Sequence, residues 1–146
     1  MYSPKLFPQL TRIPSGFVKG EVVVEPLSIT HAVIDLEAVF VSKEQLHKKY
    51  PSDSNWPLNI NLHDNIVDLG WHEKEFRDKS SFAFTVTNSA RNKCFGCIYI
   101  YPNGGSAAMS YWLRQDGASP ITEAEFEVAL HDWVASEWQD ARIQLI

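Results

Sequence analysis

The sequence predicts an α/β (α+β) fold, built on a mixed sheet of about five strands with helices on both faces. Three observations carry this prediction. A β-branched segment near the start precedes two helical patterns, three strand patterns then follow in quick succession, and a last helical pattern leads into a terminal strand. The chain has 146 residues, a usual size for one domain. Residues 21–146 are therefore expected to share one core.

The first twenty residues are predicted to form an irregular arm laid over this domain. Residues 1–20 hold three prolines and two glycines and lack a periodic apolar pattern. The first strand is expected at 21–25, because three consecutive valines there are ended by Pro26. The arm and the strand together form the predicted N-terminal part of the fold.

Three helices are predicted from apolar residues at helical spacing. Thr30 is expected to cap the first, which ends before Pro51. The second spans about 62–79. The third begins with a capping box formed by Thr122 and Glu125, in which each side chain accepts from the backbone of the other residue.

Three central strands lie between the second and third helices. Residues 82–87 alternate in polarity, and 94–101 are almost wholly apolar, as a central strand covered on both faces would be. Asn103-Gly104-Gly105 predicts a hairpin turn into a strand over 106–114. A strand at 141–146, reached through the third helix, should then run parallel to its neighbour.

Charge and hydropathy restrict the possible partners. The formal net charge is −5, and after Arg114 only Arg142 is basic, against seven acidic residues. This acidic segment would repel a polyanion, so no nucleic acid is expected as a partner. No apolar segment approaches the roughly 20 residues of a membrane-spanning helix. We therefore expect a cytoplasmic protein without membrane attachment.

The sequence offers no set of metal ligands. Cys94 and Cys97 are three residues apart on a predicted strand, where regular alternation would place them on opposite faces. His63 and His72 are nine apart on a predicted helix and point to opposite sides. We therefore expect no metal and no disulfide, and interpret the cysteines as small buried hydrophobic residues.

Three segments, together with the order of the elements, resemble the GNAT superfamily of acyl-CoA-dependent N-acyltransferases. They are 82–86, 94–101 and 110–114, which look like the central strands of that family. The resemblance runs from about Glu21 to the end of the chain. It implies acetyl-CoA as a possible cofactor, held between the fourth and fifth predicted strands.

The resemblance also implies positions for the parts of that cofactor. The pantetheine arm would lie along the fourth predicted strand, and the pyrophosphate on a turn of the form Arg/Gln-x-x-Gly-x-Gly/Ala that precedes a helix. The implied cofactor-binding residues are Tyr111, Trp112 and Leu113 on the strand, and Gly117, Ala118 and Ser119 on the turn.

This turn departs from the family pattern. It contains one glycine, and Pro120 lacks an amide hydrogen. Glu123 and Glu125 place carboxylates in the first turn of the following helix, where they would compete with an anionic ligand. The capping box would also use the amides that phosphate needs. The sequence therefore predicts an altered pyrophosphate turn.

A catalytic residue is not implied by position. The family continues past the fifth strand with a helix and two strands that supply a tyrosine acid, whereas this chain ends at Ile146. Tyr99 and Tyr111 are the candidates for that role, with aromatic core packing as the ordinary alternative. Two functions stay open: an N-acetyltransferase, and a non-catalytic module for ligand binding or protein interaction.

The terminal strand also bears on partners. Ile143, Leu145 and Ile146 form an apolar strand with no later sequence to cover its outer edge. We therefore expect a homodimer, or a protein partner that completes the sheet.

Overall fold

A computed structural model describes residues 4–52, 54–139 and 141–146. Within these residues the chain forms one sheet of six strands and four α-helices. The strands are β1 (Phe17–Lys19), β2 (Val22–Pro26), β3 (Phe82–Asn88), β4 (Cys94–Asn103), β5 (Ser106–Leu113) and β6 (Ile143–Leu145). The helices are α1 (Ala32–Val41), α2 (Lys43–Lys49), α3 (Leu62–Asp78) and α4 (Glu123–Glu137).

The strands lie in the sheet in their order along the chain. Each neighbouring pair from β1 to β5 is antiparallel, and β6 is parallel to β5. The hairpin between β4 and β5 pairs Asn103 with Ser106 and places Gly104 at a φ of 64°, which glycine adopts without strain. The predicted mixed sheet, with its parallel last strand after a helix, is confirmed.

The structure corrects the predicted number of strands from about five to six. The added strand is β1, which lies inside the segment predicted to be irregular and pairs Phe17 with Val24. Gly20, with a φ of 58°, closes the hairpin between β1 and β2. A strand of three residues is too short to show alternation, so its pairing with β2, rather than its own pattern, determines its structure.

The arm that precedes β1 packs on the domain. Among its described residues, the Leu6 amide donates to the Lys79 carbonyl at 2.8 Å. The Phe7 ring stacks on Phe82 with 6.2 Å between centroids and meets Trp138 edge-on at 5.7 Å. Residues 1–3 of the predicted arm lie outside the described residues.

The start of the first helical segment also differs from the prediction. Ser28, not Thr30, is the N-cap, and it caps a short 3₁₀ turn over Ile29–His31 from which α1 continues. The His31 side chain completes this cap by accepting from the Ser28 amide at 3.0 Å. Thr30 lies inside the turn, with its hydroxyl 2.5 Å from that of Ser28.

A β-bulge in β4 overturns the predicted placement of the two cysteines. Thr87 pairs with Cys94 and Val86 pairs with Gly96, so Phe95 has no partner on β3. The extra residue shifts the alternation by one, and Cys94 and Cys97 lie in the same cluster of buried side chains. Both are buried free thiols. The expectation that they point to opposite faces is therefore wrong.

Two apolar clusters cover the two faces of the sheet. On the α4 face, Phe84, Phe126 and Trp133 are fully or almost fully buried. On the face covered by α1, α2 and α3, the corresponding residues are Leu46 and Trp112. Helices on both faces are thus confirmed. Within the described parts of the chain, every helix is too short or too polar to cross a membrane.

Candidate functional site

A cavity of about 570 Å³ opens on the α3 side of the sheet. We call it the aromatic cavity, because five tyrosine, tryptophan and phenylalanine side chains contribute to its wall. Its lining comes from the segment after α2, from α3 and from β3 and β4. The described lining residues are Tyr50, Pro51, Ser52, Ser54, Trp56, Asp68, His72, Glu75, Ser81, Phe82, Tyr99, Ile100 and Tyr101.

The rings of this wall brace one another. The Tyr50 and Tyr99 rings meet edge-on with 5.7 Å between centroids, and Trp56 packs against Tyr50 at 6.5 Å. The His72 ring is stacked on Tyr99 at 5.7 Å, with 22° between the planes. Aromatic pairs of this kind contribute about 0.5–1.5 kcal/mol each beyond the burial of their area, so these rings stabilise one another's positions.

The cavity has a negative electrostatic character. His72 lies between two carboxylates on α3, with its Nε2 3.6 Å from Asp68 Oδ2 and its Nδ1 3.9 Å from Glu75 Oε1. Burial lowers the pKa of His72, but the hydrogen bond and charge of Asp68, with the charge of Glu75, raise it above its usual value overall. None of the described lining residues is a lysine or an arginine.

Two hydrogen bonds connect the cavity wall to β5. The hydroxyls of Tyr50 and Ser110 are 2.6 Å apart, and Trp112 Nε1 donates to the Tyr99 hydroxyl at 3.1 Å. Burial raises the pKa of Tyr50 to about 12 and that of Tyr99 well above its usual value. Both phenols are therefore neutral at physiological pH and can act as hydrogen-bond donors.

Side chains from α2 bind the backbone at the end of β5. Gln45 Nε2 donates to the Leu113 carbonyl at 3.0 Å, and the Lys49 ammonium donates to the Tyr111 carbonyl. The Arg114 amide donates to Phe95 on β4, so the backbone groups of Tyr111 and Leu113 face away from β4. Two acceptors on this open side of β5 are thus used by the protein itself.

The turn after β5 is organised by Arg114. Its guanidinium makes two hydrogen bonds of 2.7 Å to Glu37 and two, of 2.9 and 2.7 Å, to Asp116. The Ala118 amide donates to Asp116 at 3.2 Å. A second cavity of about 260 Å³ lies along this turn, and Gly117 and Ser119 contribute to its lining.

The backbone amides at the start of α4 donate to side chains of the same turn. The Thr122 amide donates to Glu125 Oε1 at 3.1 Å, and the Glu125 amide donates to the Thr122 hydroxyl at 3.1 Å. The predicted capping box is therefore confirmed. The Ile121 amide, just before it, donates to the Ser119 hydroxyl at 3.3 Å.

Solved structures of acetyltransferases share this architecture. The ribosomal-protein-S5-alanine acetyltransferase of Vibrio fischeri superposes with a TM-score of 0.68 at 16% identity, over 89% of this chain and 72% of that one. The microcin C7 self-immunity acetyltransferase, solved with acetyl-CoA and AMP, gives 0.67 at 14% identity over 90% and 71%. A ribosomal L7/L12 α-N-protein acetyltransferase, solved with coenzyme A, gives 0.62 at 10% identity over 81% and 66%.

The chain has the GNAT fold. No protein-family model and no curated protein sequence matches it. Because the identities to the superposed structures are 16% or lower, the similarity establishes the GNAT fold alone.

The implied cofactor residues of the GNAT fold lie in two different environments. Tyr111, Trp112 and Leu113 are at most 5% exposed and belong to β5. Gly117 is exposed, and Ala118 and Ser119 are half-buried in the turn. The Ala118 amide donates to Asp116 and the Ile121 amide donates to Ser119, so these two donors of the turn are engaged within the protein.

The two candidate tyrosines of this GNAT fold lie on opposite faces of the sheet. Tyr99 lines the aromatic cavity. The Tyr111 hydroxyl donates to Glu127 Oε1 on α4 at 2.9 Å, and burial together with that carboxylate raises the pKa of Tyr111. The structure therefore places Tyr99, but not Tyr111, among the other polar groups of the aromatic cavity.

Sequence reasoning missed most of this cavity. Tyr50, Asp68 and His72 come from two separate segments, and neither segment has a motif that marks it. Their proximity arises because α3 and the segment before it pack over β4. The spacing of Asp68 and His72, one helical turn apart, was the one available signal in the sequence.

Proposed function

We propose that this chain is a GNAT-type N-acyltransferase whose acceptor amine binds in the aromatic cavity. The observation that carries the proposal is a pair of hydrogen bonds, one between the hydroxyls of Tyr50 and Ser110 and one donated by Trp112 Nε1 to the Tyr99 hydroxyl. They join the cavity to β5, the strand along which the family resemblance places the acyl donor. A ligand in the cavity would lie beside that strand.

The lining favours a cationic acceptor. Rings such as Tyr50, Trp56 and Tyr99 attract a cation through their π faces. The Asp68 and Glu75 carboxylates add opposite charge, and both are partly exposed and so accessible to a ligand. An ammonium group on a chain with an apolar part would match both features.

The acceptor must lose a proton before its nitrogen can act as a nucleophile. His72 is the side chain placed to take it, since it lies in the cavity between two carboxylates that stabilise its protonated form. The Tyr50 and Tyr99 hydroxyls are neutral donors in the same wall. These three side chains are assigned their roles from their positions in the cavity, and no residue of the turn after β5 takes part.

The residues that would hold an acyl-CoA are those of β5, namely Tyr111, Trp112 and Leu113. Acyl-CoA supplies an acyl group activated as a thioester. Because the Ala118 and Ile121 amides of the turn are engaged within the protein, the acyl donor would depend on the strand more than on the turn.

A second candidate function is a non-catalytic GNAT-fold module that binds a ligand or a protein. It is supported by the hydrogen bonds that Arg114, the Ala118 amide and the capping-box amides make within the protein. A phosphate would need the same N–H groups. In this case the aromatic cavity would bind a cation without acylating it.

One experiment separates the two candidates. The purified chain is melted with and without acetyl-CoA at millimolar concentration, and thiol release is then followed with a panel of primary amines. A rise in Tm with acetyl-CoA and amine-dependent thiol release would support the acyltransferase. A rise in Tm with amines alone, and none with acetyl-CoA, would support the binding module.

A matched variant tests the role of His72. His72→Gln should lower turnover by about a hundredfold with little change in KM for the amine, because the base is removed while the carboxylates remain. His63→Gln, on an exposed part of α3, is the control and should leave turnover unchanged. Equal rates in the wild type and His72→Gln would contradict the assigned role.

The homodimer, or a protein partner that completes the sheet, also stays a proposal. β6 is the outermost strand on its edge, and Ile143 and Leu145 are only half-buried there. Sedimentation over a wide concentration range would test it. A single monomeric species at the highest concentration would contradict the homodimer.

A further inference from the structure

We propose that the buried group formed by Asp35, Cys94 and Cys97 is a binding site for one thiophilic divalent cation, such as Zn²⁺. One ligand atom from each residue, a carboxylate oxygen and two sulfurs, lies within 4.8 Å of the others. The site shares no residue with the lining of the aromatic cavity, and its residues have no role in the proposed acyl transfer.

The bulge in β4 creates this arrangement. Without the extra Phe95, regular alternation would send one of the two thiols to the α4 face. With it, Cys94 and Cys97 both face α1, where Asp35 points toward the sheet and Cys97 Sγ lies 3.5 Å from Asp35 Oδ1. Two strand residues and one helix residue thereby converge on one point.

Asp35 is a buried acid without a cationic partner. It is 3% exposed, and none of the ion pairs among residues 4–52, 54–139 and 141–146 includes it. A buried carboxylate loses hydration that a charge of opposite sign can replace, and the polar contacts of the Asp35 carboxylate are to the Asn65 amide and the Cys97 thiol. A bound divalent cation would supply that charge.

Asn65 holds the carboxylate in the orientation that a ligand needs. Its Nδ2 donates to Asp35 Oδ2 at 3.0 Å and to the Ala32 carbonyl at 3.0 Å. Oδ1 is thereby left facing the Cys97 sulfur. Hydrogen bonds that orient a metal ligand in this way are a common feature of metal sites.

The donor set determines the kind of metal. Thiolates favour Zn²⁺ and related ions over Mg²⁺ or Ca²⁺, which prefer oxygen. Zn²⁺ usually takes four donors, and the Thr85 hydroxyl, 3.6 Å from Cys94 Sγ, or a water molecule is available for the fourth position. Binding would release the two thiol protons, as one cation forms two metal–sulfur bonds.

The consequence of binding would be structural. Cys94 and Cys97 are at most 1% exposed, so a cation would enter as the chain folds rather than through an open channel. It would connect α1 to the centre of the sheet and raise Tm.

The test uses untagged, fully reduced protein refolded in the presence of Co²⁺. We expect one Co²⁺ per chain after gel filtration, a near-ultraviolet thiolate-to-cobalt absorption band that Zn²⁺ removes, and a higher Tm than that of protein refolded without metal. Cys94 and Cys97 are the only thiols in the sequence, so the band can arise only from them.

Variants identify the ligands. Cys94→Ser and Cys97→Ser should abolish the band, and Asp35→Asn should weaken Co²⁺ affinity by about tenfold or more. His72→Gln and Asp68→Asn, close to the group but outside it, are the controls and should keep the band. Wild-type protein that refolds with two free thiols and shows no band, or binds Co²⁺ without a rise in Tm, would overturn the proposal whether or not the variants fold.

Discussion

Glu37 on α1 holds the guanidinium of Arg114, at the end of β5, through two hydrogen bonds of 2.7 Å each. Arg114 is 3% exposed and also donates to the Cys94 carbonyl at 3.0 Å. A buried cation of this kind is stable only while its carboxylate partners stay in place. The pair therefore fixes α1 against the turn that follows β5.

Replacing Glu37 should destabilise the fold. We expect Glu37→Gln to lower the free energy of unfolding by about 1–2 kcal/mol, less than for a fully buried pair because the Glu37 side chain is 46% exposed and Asp116 remains. Urea denaturation would measure the change. Glu21→Gln, at the exposed turn between β1 and β2, is the matched control. Equal stabilities of the two variants would contradict the role of the pair.

The same contacts predict a loss of stability in acid. Arg114 lowers the pKa of Glu37 below 4.5 and that of Asp116 below 3.8, their usual values. A carboxyl whose folded pKa is lowered stabilises the fold above its unfolded pKa, and this contribution is lost as pH falls through the folded value. Tm should therefore decrease below about pH 4.5 in the wild type. The decrease should be smaller in Glu37→Gln, and identical curves would count against this explanation.

Gly96 should tolerate no side chain. A Cβ at this position would lie 1.9 Å from the Trp112 carbonyl oxygen on β5. Gly96→Ala must push apart two central strands and should cost about 3 kcal/mol of unfolding free energy. Gly105→Ala is the control, because a Cβ there meets nothing within 4 Å. Thermal and urea denaturation of the two variants would show the difference, and a Gly96→Ala protein as stable as the control would contradict it.

Removing Gln45 should tighten acetyl-CoA binding. Gln45→Ala frees the Leu113 carbonyl on the side of β5 that faces away from β4. Acetyl-CoA would then no longer compete with Gln45 for this carbonyl. Its affinity should rise about fivefold, because a hydrogen bond contributes about 1 kcal/mol net. Calorimetric titration would measure it, with Gln139→Ala, at an exposed position just after α4, as the control. Unchanged or weaker binding would indicate that Gln45 does not occlude the strand.

Local signals predicted those parts of the fold that local chemistry determines. The capping box of Thr122 and Glu125 sets the start of α4 through contacts three residues apart. The glycines after Asn103 likewise set the hairpin between β4 and β5. Such features depend on neighbours in the sequence, so a pattern of residues is sufficient to find them.

Features that depend on distant neighbours were missed. The bulge at Phe95 arises from the pairing of β3 with β4, and alternation along β4 alone gives no sign of it. The aromatic cavity needs Tyr50, His72 and Tyr99, which meet only after α3 packs on the sheet. Gly117, Ala118 and Ser119 lie in the turn after β5, and their role in cofactor binding stays a prediction. The buried Arg114, which binds Asp116 in that turn, had no sequence signature.

The extra residue in β4 also affects how this chain is to be aligned with others. An alignment that passes through Phe95 without a gap, against a strand that has no bulge, assigns every β4 side chain on one side of it to the wrong face of the sheet. Loss of one residue here during evolution would do more than shorten the strand. It would exchange the side chains that face α1 for those that face α4. After such an insertion or deletion, a substitution in β4 would affect the apolar cluster on the opposite face of the sheet.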